Sequence, residues 1–372
     1  MVDYTTSLSF PIGATDPLAE QIWSQKTHVE TQFETFFAKK GMVAEDKGNE
    51  ESHKKIAGSP VVTKSEFNRQ AGQRMNMRLR RQLTVTPRTT TTGARTFGDT
   101  LMIGGEEAMV YLDMQIWLDK LKHSVGYDAP DIFQHRTSID LESDVREALK
   151  EWLVENVEEI FVDGLIDASA YMAIQDSYTS AVAHPNQYYV EGAAALGDMD
   201  DTKVMTAREL RRIVSFTKRV NSAGLNPIPL EGENCQIVLC STYVVNQLLQ
   251  DEEFRTVVSQ ADTRGQENKM ISGSIGKFYN LYIHAYERAR LAAGSDNVEE
   301  VFILGSNALA IGYGSEPRFL VRHEDAYGDR WGRGIAQILG IARADWQNAA
   351  NSVTLNQSSG NWRVYRDAEE WG

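Results

Sequence analysis

The chain has 372 residues, 42% of them hydrophobic and 24% charged, with a formal net charge of −14. That length can bury one large core or two medium ones, and the acidic balance disfavours general nucleic-acid binding through an overall positive field. No apolar run approaches the ~20 residues of a membrane-spanning helix, and MVDYTTSLSF lacks the basic and apolar regions of a signal peptide.

Residues 1–15 are polar and read as an arm. Asp16-Pro17 supplies an N-cap and a proline at the first helical position, and Gly41 supplies a C′ stop. Between them Leu18, Ile22, Val29, Phe33 and Phe36 make an apolar stripe, so a helix is expected there. The stretch 44–60 is charged and broken by Gly48 and Gly58, which reads as a connection.

From Val61 the period changes to two. Met75, Met77, Leu79, Leu83 and Val85 share one strand face, and Arg74, Asn76, Arg78, Arg80, Gln82 and Thr84 share the other, with Arg81 interrupting the apolar side. PRTTTTGARTFGD is a polar tip, and Val110, Leu112, Met114, Ile116 and Leu118 alternate along a return leg. A two-stranded ribbon alone is marginal in water, so this arm is expected to bury little in its own subunit and to lie on a neighbour. From Lys64 to Arg95 there are eight basic residues and one acid, Glu66, a local charge of +7 that leaves −21 on the remainder. A basic arm on an acidic body suits self-association. The arginine face has three readings at this point: ion pairs with an acidic neighbour, phosphate tracking along nucleic acid, or a solvated face.

Residues 137–168 carry the strongest helical pattern. Leu141, Val145, Leu149, Trp152, Ile160 and Leu165 recur at helical spacing, widened by Ala148, Val157 and Phe161. Ser138 is the candidate N-cap, and Asp140, Glu142 and Asp144 suit the first turn. The helix should reach on the order of 40 Å. HPNQYYVEGAAALGDMDDT reads as a loop, 206–223 as a second helix, NPIPLEGENCQIVLCS as a turn into a buried strand and 242–261 as a third helix. Short strands are expected at 282–286, 301–304, 319–322 and 334–344, and the tail NSVTLNQSSGNWRVYRDAEEWG reads as a surface strand. There is no internal repeat, and the class is α+β. Cys235 and Cys240 lie five apart on one strand, roughly 16 Å from each other and on opposite faces, too far to bridge. They read as core thiols.

No converging catalytic site is visible. The seven histidines form no HxxxH or HExxH pair, GxSxG is absent, and GSNALAIGYGSEP matches neither the P-loop nor the dinucleotide fingerprint. It reads as a strand–turn–strand corner. The pairs Glu106-Glu107 and Glu158-Glu159 read as solvated surface. No cofactor or metal is implied.

The order of parts is similar to that of a known family. GGEEAMVYLDMQIWLDKLKHSV resembles its Glu-rich turn and return strand; DVREALKEWLVENVEEIFVDGL, SGSIGKFYNLYIHAYER and VFILGSNALAIGYG follow in its order. Together they resemble the major capsid proteins of N4-like tailed phages, with the HK97-type fold, over roughly 16–345. The resemblance implies an N-terminal arm and helix at 1–60, an extended β-arm (E-loop) across the adjacent subunit at 61–130, and a peripheral domain with its spine helix at 131–200. An axial domain at 201–320 and a return to the peripheral domain with the tail at 321–372 complete it. It implies a non-enzymatic virion protein, assembled in the host cytoplasm into hexamers and pentamers of an icosahedral shell around double-stranded DNA. Scaffolding, portal and possible decoration proteins would be its partners, with no membrane contact. Arg74, Arg78, Arg80, Arg81, Arg88 and Arg95 are the candidate inter-subunit contacts. The alternatives are an encapsulin-like nanocompartment shell and an oligomeric soluble enzyme. In HK97 an E-loop lysine forms an isopeptide crosslink; here 61–119 holds only Lys64, and an arginine cannot supply that amine, so a non-covalent shell is expected.

Overall fold

Among the described residues, twenty-one α-helices and strands build two cores and a ribbon. The computed structural model describes residues 35–45, 58–64, 74–80, 109, 111–128, 141–166, 184–218, 225–230, 233–261, 276–286, 297–325, 330–347 and 354–366. In chain order the elements begin with α1 (Phe36–Lys39), β1 (Val43–Glu45), β2 (Val61–Lys64), β3 (Arg74–Arg80), β4 (Tyr111–Trp117), β5 (Asp119–Asp128), α2 (Leu141–Ile166) and β6 (Gln187–Tyr189). There follow α3 (Ala207–Thr217), β7 (Ile228–Leu230), β8 (Glu233–Cys240), α4 (Thr242–Gln250), α5 (Glu252–Ala261), β9 (Gly276–Phe278), β10 (Leu281–Ala285) and β11 (Val298–Leu304). The last are β12 (Leu309–Asp325), β13 (Arg330–Arg343), β14 (Trp346–Gln347), β15 (Thr354–Leu355) and β16 (Ser359–Tyr365).

The first core lies between α2 and a five-stranded sheet ordered β1-β2-β12-β13-β5. Val145, Leu149, Leu153, Val157, Ile160, Phe161, Val162 and Leu165 of α2 are buried, the helical spacing that its sequence announces. Ala148, assigned to that stripe from sequence, is exposed instead, and Leu153 takes its share. Trp152 is half-buried and stacks on His123 of β5 at 4.5 Å. With 26 residues α2 is about 39 Å long. Ser138 and Asp140, the expected start, lie outside the described residues. Glu158, expected to be solvated, is buried: its carboxylate accepts the N–H of Phe36, the first residue of α1. Phe37 beside it is fully buried, 5.1 Å from the ring of Phe161. Gly41 holds φ +68 after α1, the left-handed stop expected of it; the expected helix before residue 35 lies outside the described residues.

The second core lies between α3, α4 and α5 and a seven-stranded sheet with the path β6-β16-β11-β8-β10-β9 and β7 on β8. β8 and β11 read as continuous apolar runs because both their faces are covered. Val238, Cys240, Val301 and Ile303 belong to the second core, whereas Ile237, Leu239, Phe302 and Leu304 belong to the first. Both cysteines are buried and neither forms a disulfide, so they are core thiols as expected.

Three expectations fail here. The single helix over 242–261 is two, because Asp251 is extended (φ −65, ψ 120) and caps its surroundings. Its Oδ1 accepts the N–H of Glu253 at 2.9 Å and its Oδ2 that of Ala207 at 2.7 Å, so one carboxylate serves α5 and α3. The tail is no surface strand: β16 pairs antiparallel with β11 from Ser359↔Leu304 to Tyr365↔Val298 and parallel with β6, and Trp362 is 1% exposed. The loop expected around 184–202 contains β6 for the same reason.

The ribbon forms as expected, with β3 and β4 antiparallel from Arg74↔Trp117 to Arg80↔Tyr111. Its base does not bury little. Leu112, Met114, Ile116 and Leu118 are buried, Met114 and Ile116 against Ala310, Ala342 and Ala344. Small residues let β4 come close: a Cβ at Gly340 would lie 2.0 Å from the Trp117 carbonyl oxygen. β14 and β15 extend the ribbon to a four-stranded sheet, ordered β15-β14-β4-β3. GSNALAIGYGSEP is the expected corner, with Gly305 to Ala308 joining β11 to β12.

Candidate assembly surfaces

The ribbon places the sequence candidates on an edge. Among the described residues β3 pairs only with β4, so its outer edge borders no strand. Arg74, Arg78 and Arg80 stand on it opposite Trp117, Asp113 and Tyr111. Arg81, Arg88 and Arg95 lie outside the described residues. Toward the tip, Met109 and Tyr111 are 54% and 53% exposed, apolar surface that pattern reading alone did not single out. The arm's one lysine, Lys64, belongs to β2 in the five-stranded sheet, opposite Gly312 of β12.

The outer face of α2 is acidic. Asp144, Glu147, Glu151, Glu155 and Glu159 are exposed along it. Like charges four apart on a helix repel, by roughly 0.2–0.5 kcal/mol per pair.

Behind these surfaces a buried polar network ties α2 to β16. Arg343, 1% exposed, donates through Nε and Nη2 to Asp345 Oδ2 at 2.9 and 2.6 Å, and through Nη1 to the Leu165 carbonyl at 3.3 Å. Asn356 Nδ2 bridges Asp345 Oδ1 (2.8 Å) and Ser359 Oγ (3.0 Å). His184 completes the chain: its Nδ1 accepts the Asn186 N–H at 3.0 Å, so its Nε2 carries the proton and donates to Ser359 Oγ at 3.0 Å. Burial and the Arg343 charge hold the His184 pKa well below the ordinary histidine value. The unfolded chain takes up the proton first as pH falls, so this stabilisation is complete above about pH 6.5 and is lost progressively below it. Unassembled wild-type subunit should therefore lose Tm between pH 7.5 and 5.0, and His184→Gln should flatten that slope. An unchanged slope in the variant would assign the acid sensitivity to other groups.

Burial and neighbouring Glu299 push the Cys240 thiol up, away from nucleophilic thiolate. Among the described residues no group of histidine, cysteine or carboxylate side chains could hold a metal, and no helix is long and apolar enough to cross a membrane.

A long helix on a sheet, a second sheet-and-helix unit and a basic ribbon anchored at its base define a shell-building subunit of the HK97-type capsid fold. The same fold is found in the cyanophage Pam1 capsid, at 15% identity and a TM-score of 0.70, covering 89% of this chain and 92% of that one. The capsid of Ralstonia phage GP4 is 19% identical with a TM-score of 0.63, covering 83% and 88%. The acid-stable capsid of Helicobacter pylori bacteriophage KHP30 is 14% identical with a TM-score of 0.63, covering 84% and 90%. A search of curated proteins found no match. The model of the phage capsid protein family matches residues 12–368, and the chain belongs to that family. It is a major capsid protein that builds the phage shell, a structural protein of the virion rather than an enzyme.

Proposed function

We propose that copies of this subunit assemble in the host cytoplasm as hexamers and pentamers of an icosahedral shell around double-stranded DNA. The observation that carries this reading is the ribbon: β4 packs closely on its own subunit at Gly340, while β3, with its arginines, is the sheet's edge among the described residues. In this reading 1–60 is the N-terminal arm, and the ribbon within 61–130 crosses to the adjacent subunit while β2 and β5 stay in the first sheet. Residues 131–200 and 321–372 supply the peripheral domain around α2, and 201–320 the axial domain, apart from β6 and β16, which pair into the axial sheet, and β12, which belongs to the peripheral one. Arg74, Arg78 and Arg80, with Arg81, Arg88 and Arg95 farther along the chain, pair with acids of that neighbour, and the exposed glutamates of α2 offer one such surface. Scaffolding, portal and decoration proteins are the further partners, and DNA contact is non-specific. The N4-like placement rests on the motif order alone.

Negative-stain microscopy of purified protein tests the assembly. Wild type should give closed shells, and Arg78→Glu with Arg80→Glu should give folded subunits, native by circular dichroism, that form none. Each exposed pair is worth only about 0.2–1 kcal/mol, but repetition around a shell multiplies the effect and makes assembly salt-sensitive. Normal shells from the double variant would leave the stripe a solvated face. Particles from infected cells that hold protein cargo in place of DNA would favour a nanocompartment.

Mature particles boiled in SDS with reductant should run as one band at the chain mass of 41.7 kDa. The arm holds no lysine from 65 to 119 to supply the amine of an isopeptide bond, and the two cysteines are buried elsewhere in the subunit. A ladder of multimers would overturn the non-covalent shell.

A further inference from the structure

The loop between β9 and β10 holds a residue that its own subunit does not account for. Phe278 pairs with Leu281 across it, so the loop consists of Tyr279 and Asn280. Where a two-residue loop needs positive φ, glycine or asparagine is preferred. Here Tyr279 holds φ +53, a conformation that crowds the Cβ of a bulky residue against its own backbone. Tyr279 is 66% exposed, more than any other large hydrophobic residue among those described. The subunit thus carries both a strained backbone and a wet aromatic at one position.

The platform beneath it is fixed. Asn280, 9% exposed, donates Nδ2 to Gln236 Oε1 at 2.6 Å, and its carbonyl accepts the Gln236 N–H at 2.9 Å. Phe278 is buried, 5.8 Å from the ring of Phe254, and meets the Tyr279 ring edge-on at 5.0 Å. Two ion pairs flank the loop. Arg211 of α3 grips Glu253 of α5, with Nη2 to Oε2 at 3.0 Å, and Lys277 of β9 pairs with Glu233 of β8.

We propose that Tyr279 is the anchor of a contact between two copies of this chain, its ring buried on the neighbouring subunit and the two ion pairs forming the polar rim. The proposal rests on the reading of the chain as a self-assembling shell subunit and adds the residue on which one of its contacts turns. A rigid aromatic within a charged rim is the composition of an interface hot spot. The rim identifies the partner: two cations and two anions are self-complementary, since each sign on one copy can face the other sign on the next. A nucleic-acid partner would call for an excess of positive charge instead.

Strain makes the test selective. Tyr279→Gly removes the ring and also the Cβ that left-handed backbone disfavours. The variant subunit should melt at the wild-type temperature or above it, yet need about tenfold more protein before light scattering reports shells. Tyr279→Phe, which keeps the ring, should assemble at the wild-type threshold. A Tyr279→Gly protein that assembles at the wild-type threshold overturns the proposal. So does one that melts several degrees lower, because the ring would then serve its own fold. If wild type itself forms no shells, the failure belongs to the shell reading and not to Tyr279.

Discussion

Trp362→Ala should lower the melting temperature of the unassembled subunit by about 5 °C, corresponding to roughly 3–5 kcal/mol for emptying a large buried aromatic site in a chain of this size. Trp362 is 1% exposed and stands in β16 between Tyr188, stacked on it at 4.6 Å, and Phe216, edge-on at 5.2 Å. One side chain therefore joins β6, β16 and α3. Trp362→Phe should cost far less, under about 1.5 kcal/mol. Trp362 Nε1 is buried with no hydrogen-bond partner, so phenylalanine removes no bond and relieves an unsatisfied donor. Thermal melts of both variants decide it. Equal losses would mean that the indole's shape, and not aromatic volume, holds the sheet.

That strand shows where the sequence stops being legible. SGNWRVY alternates as a strand should, but nothing local says that its partners are β11 and a three-residue strand at 187–189. Pairing at such separation is chosen by the whole fold. The same holds for Glu158, which beside Glu159 looks solvated until α1, more than a hundred residues earlier, is placed against it. Asp251 could have been read: Asp followed by two glutamates is an N-cap signal, masked by apolar spacing that continues through it. Gly340 could not, since only the arrival of β4 shows why a strand carries no side chain there. What was legible follows from short-range periodicity: the period-two legs of the ribbon, the helical stripe of α2, and the doubly covered runs of β8 and β11. Of the assembly surfaces, the segregation of charge along the arm was plain in the sequence. Tyr279 was not, because YN becomes a strained turn only once β9 and β10 are known to pair.

Asp345→Ala should be the most damaging single change in the polar network, at about 3–5 kcal/mol or again about 5 °C in the subunit's melting temperature. Its carboxylate receives the Arg343 guanidinium on one oxygen and Asn356 on the other. Removing it takes from a guanidinium at 1% exposure the carboxylate that accepts both its Nε and its Nη2. The loss should spread to both ends: the last turn of α2 loses its tie to β13, and Asn356 no longer fixes the turn that leads into β16. The double variant Arg343→Met with Asp345→Ala separates the causes. If the cost is mainly the stranded charge, discarding that charge should recover a good part of the stability, as when a buried ion pair is exchanged for apolar side chains. If the geometry of the network matters more, the double variant should melt no higher than Asp345→Ala. The pH response distinguishes them further. The Arg343 charge helps to keep His184 neutral, so the double variant should lose less stability on acidification to pH 5 than the wild-type subunit. A melt series across pH 5.0–7.5 on the three proteins reads both effects, and an identical acid slope in all three would show that His184 is kept neutral by burial alone.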